Sequence, residues 1–345
     1  MQWVSFCGKN TWLLNDEIRQ KIQMKINNLW GVTKTSHFLG PQPVSIERKH
    51  IIRLFKENYW VCEKTDGERF LFAVVNIEEP QENKMTNTLY VIMINRKNQM
   101  YLINTTLDKK LGNGTILDGE LVKTFGGKYE FIVYDCVSSF GESNVQKTFK
   151  DRIEKATLVV SNIRRNHSFD IKIKQFSPIA DMKEYVERVV PKLTHLVDGY
   201  IFTPNDIPIR SGTHFDMFKW KEKNKNTVDF IFSKGNFIKK SSTYVYIVAV
   251  MKDRKQIILN NVVVHLDHSL HTEIQLHNTA VIECEYTCDL QGKEIWKGLF
   301  VRKDKSYPNN MLTYTKTKLN ISEAIELSEF MVVDSNSPTT GSRNA

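Results

Sequence analysis

Helix-like and strand-like patterns of apolar residues follow one another along the chain in separate blocks. Over residues 18–30 apolar side chains recur at helical spacing, and Gly31 ends the pattern. Between Trp60 and Cys136, short runs rich in Val, Ile, Tyr and Phe are separated by Gly, Asn, Asp or Lys, which is typical of antiparallel strands. Residues 147–163 return to helical spacing. This part of the chain therefore predicts an α+β domain.

A second strand-rich block follows the polar stretch after Trp220. Its apolar runs predict strands at 228–233, 243–250, 256–264, 278–287 and 295–302. So many strands in a short segment favour a small barrel, for which the OB-fold is the leading candidate. The predicted boundaries are 1–226 for the α+β domain, 227–317 for the barrel, 318–332 for a C-terminal helix that packs back on the first domain, and 333–345 for a disordered tail.

The charge balance adds an expectation about partners. Lysine and arginine number 48 against 39 aspartates and glutamates, so that the net charge is +9. This excess favours polyanions such as nucleic acid or nucleotide phosphates. The five cysteines are odd in number and form no C-x-x-C pair, which predicts free thiols in a reducing intracellular compartment. We expect no membrane association, because no apolar run reaches the roughly 18 residues that a membrane helix needs.

The sharpest chemical signal is the sequence Glu-Lys-Thr-Asp-Gly-Glu-Arg at 63–69, between two apolar strands. A lysine amine is mostly protonated at neutral pH, and a pocket that desolvates it or holds other cations beside it frees the amine as a nucleophile. Gly67 permits a tight turn that would let Lys64 and Arg69 face one phosphate group. The motif is also compatible with an ordinary Asp-Gly hairpin turn that carries solvated charges.

Carboxylates embedded in later strands favour the chemical interpretation of this motif. Asp118 and Glu120, the pair Tyr134-Asp135, and Asp198 all lie in apolar runs. A carboxylate in such a position costs free energy unless it binds a cation or a hydrogen-bond donor. Because Mg²⁺ takes carboxylates together with substrate phosphates, these strands predict metal-assisted chemistry on a phosphate.

Two basic clusters complete the pattern. Lys219 and Lys221 alternate with aromatic residues, so that both share one strand face. Arg302 and Lys305 lie near the end of the predicted barrel. Together with the carboxylates, these cations suit nucleotidyl transfer from a nucleoside triphosphate. A P-loop mechanism is disfavoured, because the chain has no G-x-x-x-x-G-K-[ST] motif.

In order and spacing, these motifs resemble those of the covalent nucleotidyltransferases, the superfamily of capping enzymes and polynucleotide ligases. The corresponding motifs are K-x-D-G-x-R at 64–69, D-G-E at 118–120, aromatic-Asp at 134–135, D-G-hydrophobic-Ile at 198–201 and K-x-K at 219–221. The R-x-D-K motif at 302–305, the following Pro308 and Asn309, and G-P-Q-P-V-S at 40–45 are similar to mRNA capping enzymes, and most similar to the compact single-function enzymes of large DNA viruses. One departure is Phe300, where many of these enzymes have arginine.

The resemblance implies a nucleotidyltransferase domain of ATP-grasp-like antiparallel sheets with helices, followed by an OB-fold barrel. It also implies that Lys64 forms a covalent lysyl-GMP intermediate with GTP. The implied catalytic residues are Lys64, Arg69, Lys219, Lys221, Arg302, Asp304 and Lys305. The implied GTP-binding residues are Arg69, Arg96, Glu120, Tyr134, Lys174, Ile201, Lys219 and Lys221. Asp198 and Glu120 are implied to hold Mg²⁺ or Mn²⁺.

The implied reaction transfers GMP from GTP to the 5′-diphosphate end of RNA and forms the GpppN cap. Tyr134 and Ile201 would enclose the guanine, and Lys174 would help to select GTP over ATP. An RNA triphosphatase, a cap methyltransferase and RNA polymerase would be supplied by other chains. The expected location is the nucleus or, for a virus-encoded enzyme, a viral factory or virion.

Two other functions are compatible with the sequence. An ATP-dependent polynucleotide ligase uses the same lysine adduct to seal nicks. A non-catalytic nucleic-acid-binding protein would retain only a working OB-fold barrel. The triphosphate that labels the protein distinguishes these alternatives. The role of His195, three residues before Asp198, also has two interpretations, contact with the base or a structural role.

Overall fold

The computed structural model describes residues 2–33, 37–81, 84–166, 168–240, 243–288, 294–303 and 305–331. Asp304 and the predicted tail at 333–345 lie outside the described residues. Residue contacts divide the chain into two compact units. The first comprises the described parts of Met1–Val44, Ile52–Lys219 and Phe330–Ala345, and the second comprises Ser45–Ile51 and Trp220–Glu329. The chain passes into the second unit for the second time at Trp220, and the predicted domain boundary at residue 227 stays a prediction.

Strands and helices are interspersed up to Trp220. The strands are β1 (Gln2–Phe6), β2 (Lys9–Leu13), β3 (Pro41–Ser45), β4 (Tyr59–Thr65), β5 (Glu68–Gln81), β6 (Lys84–Asn95), β7 (Met100–Leu102), β8 (Thr105–Leu107), β9 (Thr115–Lys123), β10 (Tyr129–Ser139), β11 (Glu142–Ser143), β12 (Ile163–Asn166), β13 (Asp170–Ile173), β14 (Ser177–Pro178), β15 (Val197–Pro204) and β16 (Gly212–Trp220). The α-helices are α1 (Asp16–Trp30), α2 (Arg48–Lys56), α3 (Phe149–Ser161) and α4 (Met182–Glu184). Shorter 3₁₀ turns lie at Lys109–Asn113, Ile179–Asp181 and Val190–Lys192, and a π-helical turn lies at Tyr185–Val189. The predicted α+β class is confirmed.

Helix α1 begins and ends where its sequence predicts. The Asn15 side chain accepts a hydrogen bond from the Ile18 N–H and caps the first turn. Gly31 ends the helix in the left-handed region, with φ 68°. The apolar face of the helix buries Ile22 and Ile26 in the core of the large sheet. In the described part of the chain, no helix is long and apolar enough to cross a membrane.

The larger sheet forms the centre of the first unit. Its strand order is β1-β2-β7-β6-β5-β9-β10-β11, and β13 pairs in parallel with β10. Strand β5 is buried on both faces, since Leu71 and Ala73 pack in one apolar cluster while Phe70 and Phe72 pack in another. Alternation of side chains along a strand produces this division. Apolar packing on both faces of the sheet therefore holds in place the strands that carry the polar residues described below.

A second sheet in this part of the chain has the order β14-β4-β15-β16-β3. Strand β4, between β14 and β15, is followed directly by β5 of the larger sheet, and only Asp66 and Gly67 separate the two strands. The Asp-Gly pair therefore carries the chain from one sheet to the other. It does not form a two-residue hairpin within one sheet, as the alternative interpretation of the motif would require.

The second unit is a closed barrel. Its strands are β17 (Thr227–Ser233), β18 (Phe237–Lys240), β19 (Thr243–Lys252), β20 (Lys255–Leu266), β21 (Thr279–Cys288) and β22 (Glu294–Val301), and helix α5 spans His268–Gln275. The order β17-β21-β22-β20-β19 closes on itself through a β17–β19 pairing, and β18 pairs with β19. The five predicted strands are confirmed, and the short strand β18 was not predicted.

The C-terminal helix differs from the prediction. Helix α6 spans Met311–Glu323 instead of 318–332, and a 3₁₀ turn follows at Leu327–Phe330. Asn310 caps α6 by accepting a hydrogen bond from the Thr313 N–H, which places the helix start upstream. Tyr314 and Ile321 then pack in the apolar core of the barrel. Helix α6 therefore contributes to the core of the second unit, and the packing of the C-terminal segment on the first domain stays a prediction.

Candidate active site

A cavity in the first unit is lined by strands of both sheets. It measures about 750 Å³, including the part that is open to solvent. Its lining includes the predicted site residues Lys64, Arg69, Arg96, Glu120, Tyr134, Lys174 and Ile201. The other lining residues are Pro41, Pro43, Cys62, Glu63, Thr65, Asp135, Phe149, Phe176, Thr203 and Met217. The fold thus gathers residues from widely separated parts of the sequence around one space.

Lys64 is the penultimate residue of β4, and its surroundings are set by an irregularity in β15. Asp198 and Gly199 both lie opposite Lys64, between regularly paired residues on either side. Such a bulge bends a strand and re-aims a side chain. Gly199 adopts a φ of 125°, which glycine tolerates readily. As a result, Lys64 Nζ lies 2.8 Å from Asp198 Oδ2.

Asp198 therefore holds the predicted nucleophile in this structure. Within the described ranges, no group of three or more His, Cys, Asp or Glu side chains is placed to hold a metal ion. Asp198 and Glu120 nevertheless fit the predicted metal in its donor chemistry, because Mg²⁺ commonly binds one or two carboxylates and takes its other ligands from water and substrate phosphates.

Arg69 is bound on one side by protein groups. Its Nε lies 2.9 Å from Asp118 Oδ1, its Nη2 donates to Asp118 Oδ2, and its Nη1 donates to the Pro41 carbonyl at 2.7 Å. Both side chains are buried, and the burial of Asp118 raises the pKa of its carboxyl although Arg69 opposes that effect. Three of the five N–H donors of a guanidinium are engaged in this way, and two can serve a ribose or phosphate.

Glu120 pairs directly with Arg69 across β5 and β9, so that both side chains stand on the same sheet face. Burial raises the pKa of Glu120, although the charges of Lys174, Arg69, Lys64 and Arg96 lower it. These cations surround the Glu120 carboxylate at the cavity. The arrangement provides positive charge for the phosphates of a triphosphate and an acceptor for a hydroxyl group.

Tyr134 owes its position to a second bulge. It is the extra residue between Val133 and Asp135 where β10 pairs with β9. Opposite it, a side chain at Gly119 would lie 2.6 Å from the Phe131 ring, so that only glycine fits there. Burial raises the pKa of the Tyr134 hydroxyl well above its ordinary value. The neutral ring lines the cavity and offers a flat face to a base.

Asp135, which the sequence suggested as a possible metal ligand, forms an ion pair with an arginine. Arg152 Nε and Nη2 lie 2.7 and 3.1 Å from the two Asp135 oxygens, and Arg152 Nη1 donates to the Lys147 carbonyl. The Arg152 side chain is fully buried. Because both oxygens accept from one guanidinium, Asp135 anchors helix α3 to β10. This corrects the metal interpretation.

Glu63 is a member of the site that the sequence interpretation missed. Its carboxylate lies 2.9 Å from Lys174 Nζ and 3.4 Å from His195 Nε2, and it accepts a hydrogen bond from the Tyr185 hydroxyl. Lys174 also donates to the Thr65 hydroxyl. The sequence did contain a signal for Glu63, because a glutamate inside the apolar run before Lys64 needs a cation or a hydrogen-bond donor as a partner. The burial of His195 beside Glu63 favours its structural interpretation.

The titration of Glu63 predicts a pH-dependent stability. Burial alone would raise the pKa of Glu63, but His195, Lys174 and Tyr185 together lower it from 4.5 to about 2. A lowered pKa in the folded state stabilises the protein above pH 4.5, and that contribution is lost as the pH falls toward 2. We expect Glu63→Gln to lower the free energy of unfolding at pH 7 by on the order of 3 kcal/mol.

Urea unfolding of wild type and Glu63→Gln across this pH range would measure the effect. The difference in free energy of unfolding between wild type and Glu63→Gln should become smaller as the pH falls below 4.5. Glu154→Gln, at an exposed position of α3, is the matched control and should show no such narrowing. A difference between wild type and Glu63→Gln that stays constant with pH would contradict the prediction.

Among the described residues, four predicted catalytic side chains do not line this cavity, namely Lys219, Lys221, Arg302 and Lys305. Lys219 ends the part of the chain assigned to the first unit, and Lys221 lies in the second. Arg302 Nη1 lies 3.1 Å from Asp229 and 2.9 Å from Glu283, and Lys305 Nζ also contacts Asp229. The two basic residues of the R-x-D-K motif, Arg302 and Lys305, are therefore bound to the buried Asp229 within the second unit, a partner that the sequence interpretation missed.

Sequence comparison relates the chain to known proteins. The family model described as mRNA capping enzyme, catalytic domain, matches residues 10–223, which is more than half of the chain. The mRNA-capping enzyme subunit alpha of Schizosaccharomyces pombe is 27% identical over 92% of this chain and 84% of its own length. That of Yarrowia lipolytica is 32% identical over 57% of this chain and 54% of its own length. The mRNA-capping enzyme of Caenorhabditis elegans is 26% identical over 86% of this chain.

The chain spans 54% of the Yarrowia relative and 48% of the Caenorhabditis relative. Among solved structures, a mycobacterial DNA ligase D complexed with ATP and MES covers 77% of this chain and 94% of its own, with 12% identity and a TM-score of 0.39, which is too low to bear on the assignment. The likeness to viral enzymes stays a prediction. The family match and the motifs around the cavity lead to one conclusion: the chain belongs to the mRNA capping enzyme family.

Proposed function

We propose that this member of the capping enzyme family is an mRNA guanylyltransferase that passes GMP from GTP, through Lys64, to the 5′-diphosphate end of RNA. The observation that carries the proposal is the position of Lys64. Its amine stands at the end of a strand, at a cavity that also contains Arg69, Arg96 and Glu120. A nucleophile among phosphate-binding cations suits nucleotidyl transfer.

The first step forms the adduct. Deprotonated Lys64 Nζ attacks the α-phosphorus of GTP, a P–N bond forms, and the P–O bond to the β-phosphate breaks. Pyrophosphate carries away the bonding electron pair, and it takes up the proton that the attacking nitrogen gives up when the P–N bond forms. Arg69 and Arg96 lie where they can stabilise charge that develops on the phosphate oxygens.

The second step returns the lysine. A terminal phosphate oxygen of the RNA attacks the same phosphorus, the P–N bond breaks, and Lys64 regains its proton. The product is the GpppN end. Two displacements at one phosphorus therefore regenerate the enzyme, which is the general advantage of covalent catalysis.

Asp198 controls the state of Lys64 before the reaction. In this structure it binds the ammonium at 2.8 Å, and an ammonium group is not a nucleophile. Mg²⁺ or Mn²⁺, which Asp198 and Glu120 would hold together with the substrate phosphates, would supply charge neutralisation on those phosphates when bound.

The base is recognised at the other wall of the cavity. We propose that Tyr134 and Ile201 enclose the guanine, because both line the cavity and both present apolar surface. Lys174 is held by Glu63 and Thr65, and its remaining N–H can donate to a guanine carbonyl. The amino group of adenine at that position is not an acceptor, which would favour GTP over ATP.

We infer that the first unit is a nucleotidyltransferase domain with ATP-grasp-like sheets and that the second is an OB-fold, because five of its strands close into one barrel. Lys219 and Lys221 would hold the α-phosphate. Arg302, Asp304 and Lys305 would orient the leaving pyrophosphate. RNA triphosphatase, cap methyltransferase and RNA polymerase would be the partners, in the nucleus or in a viral factory or virion.

The test is to incubate the protein with a divalent metal and α-labelled GTP or ATP, then separate it on a denaturing gel. We expect stable label from GTP alone, and release of that label to RNA with a 5′-diphosphate end. Label from ATP alone would replace the proposal with the ligase. A folded protein that takes no label from either nucleotide would leave the non-catalytic binding protein.

A further inference from the structure

The turn between β9 and β10 projects an aromatic side chain into solvent. Thr124 N–H donates to the Lys128 carbonyl at 2.8 Å, and Lys128 N–H donates to the Thr124 hydroxyl at 3.2 Å, which fixes the turn. Phe125 at its tip is 70% exposed, more than any other phenylalanine in the described residues. A single exposed apolar side chain is ordinary, so that its surroundings decide whether it has a role.

The turn is fastened to the segment that leads into the active site. Phe125 N–H donates to the Thr194 carbonyl at 2.8 Å. Two residues further along, the Leu196 carbonyl accepts from the Asp66 N–H at 3.1 Å, and Asp198 then contacts Lys64. A fully extended chain rises about 3.3 Å per residue, so that the four residues from Thr194 to Asp198 span at most about 13 Å.

The surface around the turn has the composition of a single-strand binding site. Leu196 is 61% exposed, and Lys128 and Lys192 are exposed as well. The Lys123 ammonium lies 6.0 Å from the centre of the Tyr129 ring. Proteins that hold single-stranded nucleic acid combine aromatic faces, on which bases stack, with cations that follow the backbone. Both components occur on this turn and on the segment to which it is hydrogen-bonded.

We propose that Phe125, supported by Leu196, stacks the 5′-terminal base of the acceptor RNA, and that Lys123, Lys128 and Lys192 hold the phosphates that follow it. This inference rests on the proposed function. In the second step two phosphates separate the terminal nucleoside from the attacked phosphorus, so that this nucleoside must lie outside the cavity but close to Lys64. The turn does not line the cavity, and it is hydrogen-bonded to the segment that leads to Asp198, the partner of Lys64.

The two half-reactions allow a sharp test. With Phe125→Ala, the rate of adduct formation from GTP should equal that of wild type, because Phe125 does not line the cavity. The RNA concentration needed for half-maximal transfer from the preformed adduct should rise about 5- to 100-fold, the loss expected for one stacked base. Phe125→Trp should restore transfer. Phe215→Ala, at another exposed phenylalanine, is the matched control and should match wild type.

A measurement of RNA binding tests the role of Phe125 without relying on catalysis. Fluorescence anisotropy of a labelled oligoribonucleotide with a 5′-diphosphate end should show weaker binding to Phe125→Ala than to wild type. The proposal would be overturned if Phe125→Ala bound the RNA as tightly as wild type and needed the same RNA concentration for transfer. A protein partner would then be the better occupant of this surface. An equal loss of adduct formation and of transfer in Phe125→Ala would also overturn the proposal. Failure of wild type to form an adduct would instead overturn the proposed function, while the binding comparison would still decide the role of Phe125.

Discussion

Replacement of Lys64 by alanine will abolish the covalent GMP adduct. No other group in the described cavity can substitute for the amine at that position. Arg69 and Arg96 are guanidinium groups that are not deprotonated in proteins, and the Lys174 amine is held by Glu63 and Thr65. Removal of a catalytic nucleophile commonly lowers the rate by a factor on the order of 10⁴ or more. The label on a denaturing gel after incubation with α-labelled GTP measures the loss.

Two controls make this result interpretable. Lys56→Ala, at an exposed lysine outside the cavity, should label like wild type. Lys64→Arg keeps the positive charge beside Asp198 and should also give no adduct. Since Lys64 is partly exposed, with 26% of its side chain accessible, the alanine variant should remain folded. Persistence of label in Lys64→Ala would show that another residue carries the nucleotide.

Loss of the charge at Arg152 should cause the largest change in stability. Arg152→Met keeps most of the buried volume but leaves the Asp135 carboxylate, itself 3% exposed, without its partner. An unpaired buried charge costs about 3–5 kcal/mol. For a chain of this size we expect the midpoint of thermal unfolding to fall by about 10 °C, as measured by circular dichroism.

The double variant Asp135→Asn with Arg152→Met tests the cause. This variant lacks the unpaired Asp135 carboxylate, and so it should be more stable than Arg152→Met alone. A double-mutant cycle expresses that difference as a coupling energy between the two residues. If Asp135 were instead a metal ligand, Asp135→Asn would alter the metal requirement of adduct formation while Arg152→Met left the unfolding midpoint unchanged. That pair of results would reverse the structural assignment of Asp135.

Much of the active site could be predicted because its residues lie in short motifs of fixed local geometry. Lys64, Glu120 and Ile201 were predicted from sequence, and all line the cavity. Periodicity likewise located α1 and the barrel strands, because burial of one face imposes a regular spacing. The family resemblance, rather than periodicity, indicated Arg96 and Lys174, which lie outside any distinctive run.

What the sequence could not show is which charges pair. Asp118, Asp135 and Asp198 look alike as acidic residues in apolar strands, yet they bind Arg69, Arg152 and Lys64 respectively. Their partners are distant in sequence and are selected by register and by bulges, which no local pattern encodes. Helix α6 was misplaced for a related reason, because its burial depends on the barrel rather than on its own sequence.

The contact between Lys64 and Asp198 also bears on how the protein avoids damage while it waits for substrate. Cells contain acyl phosphates, isocyanate and reactive aldehydes that modify free amines. An amine stored as an ammonium ion against a carboxylate resists all of them, because it has no lone pair to offer.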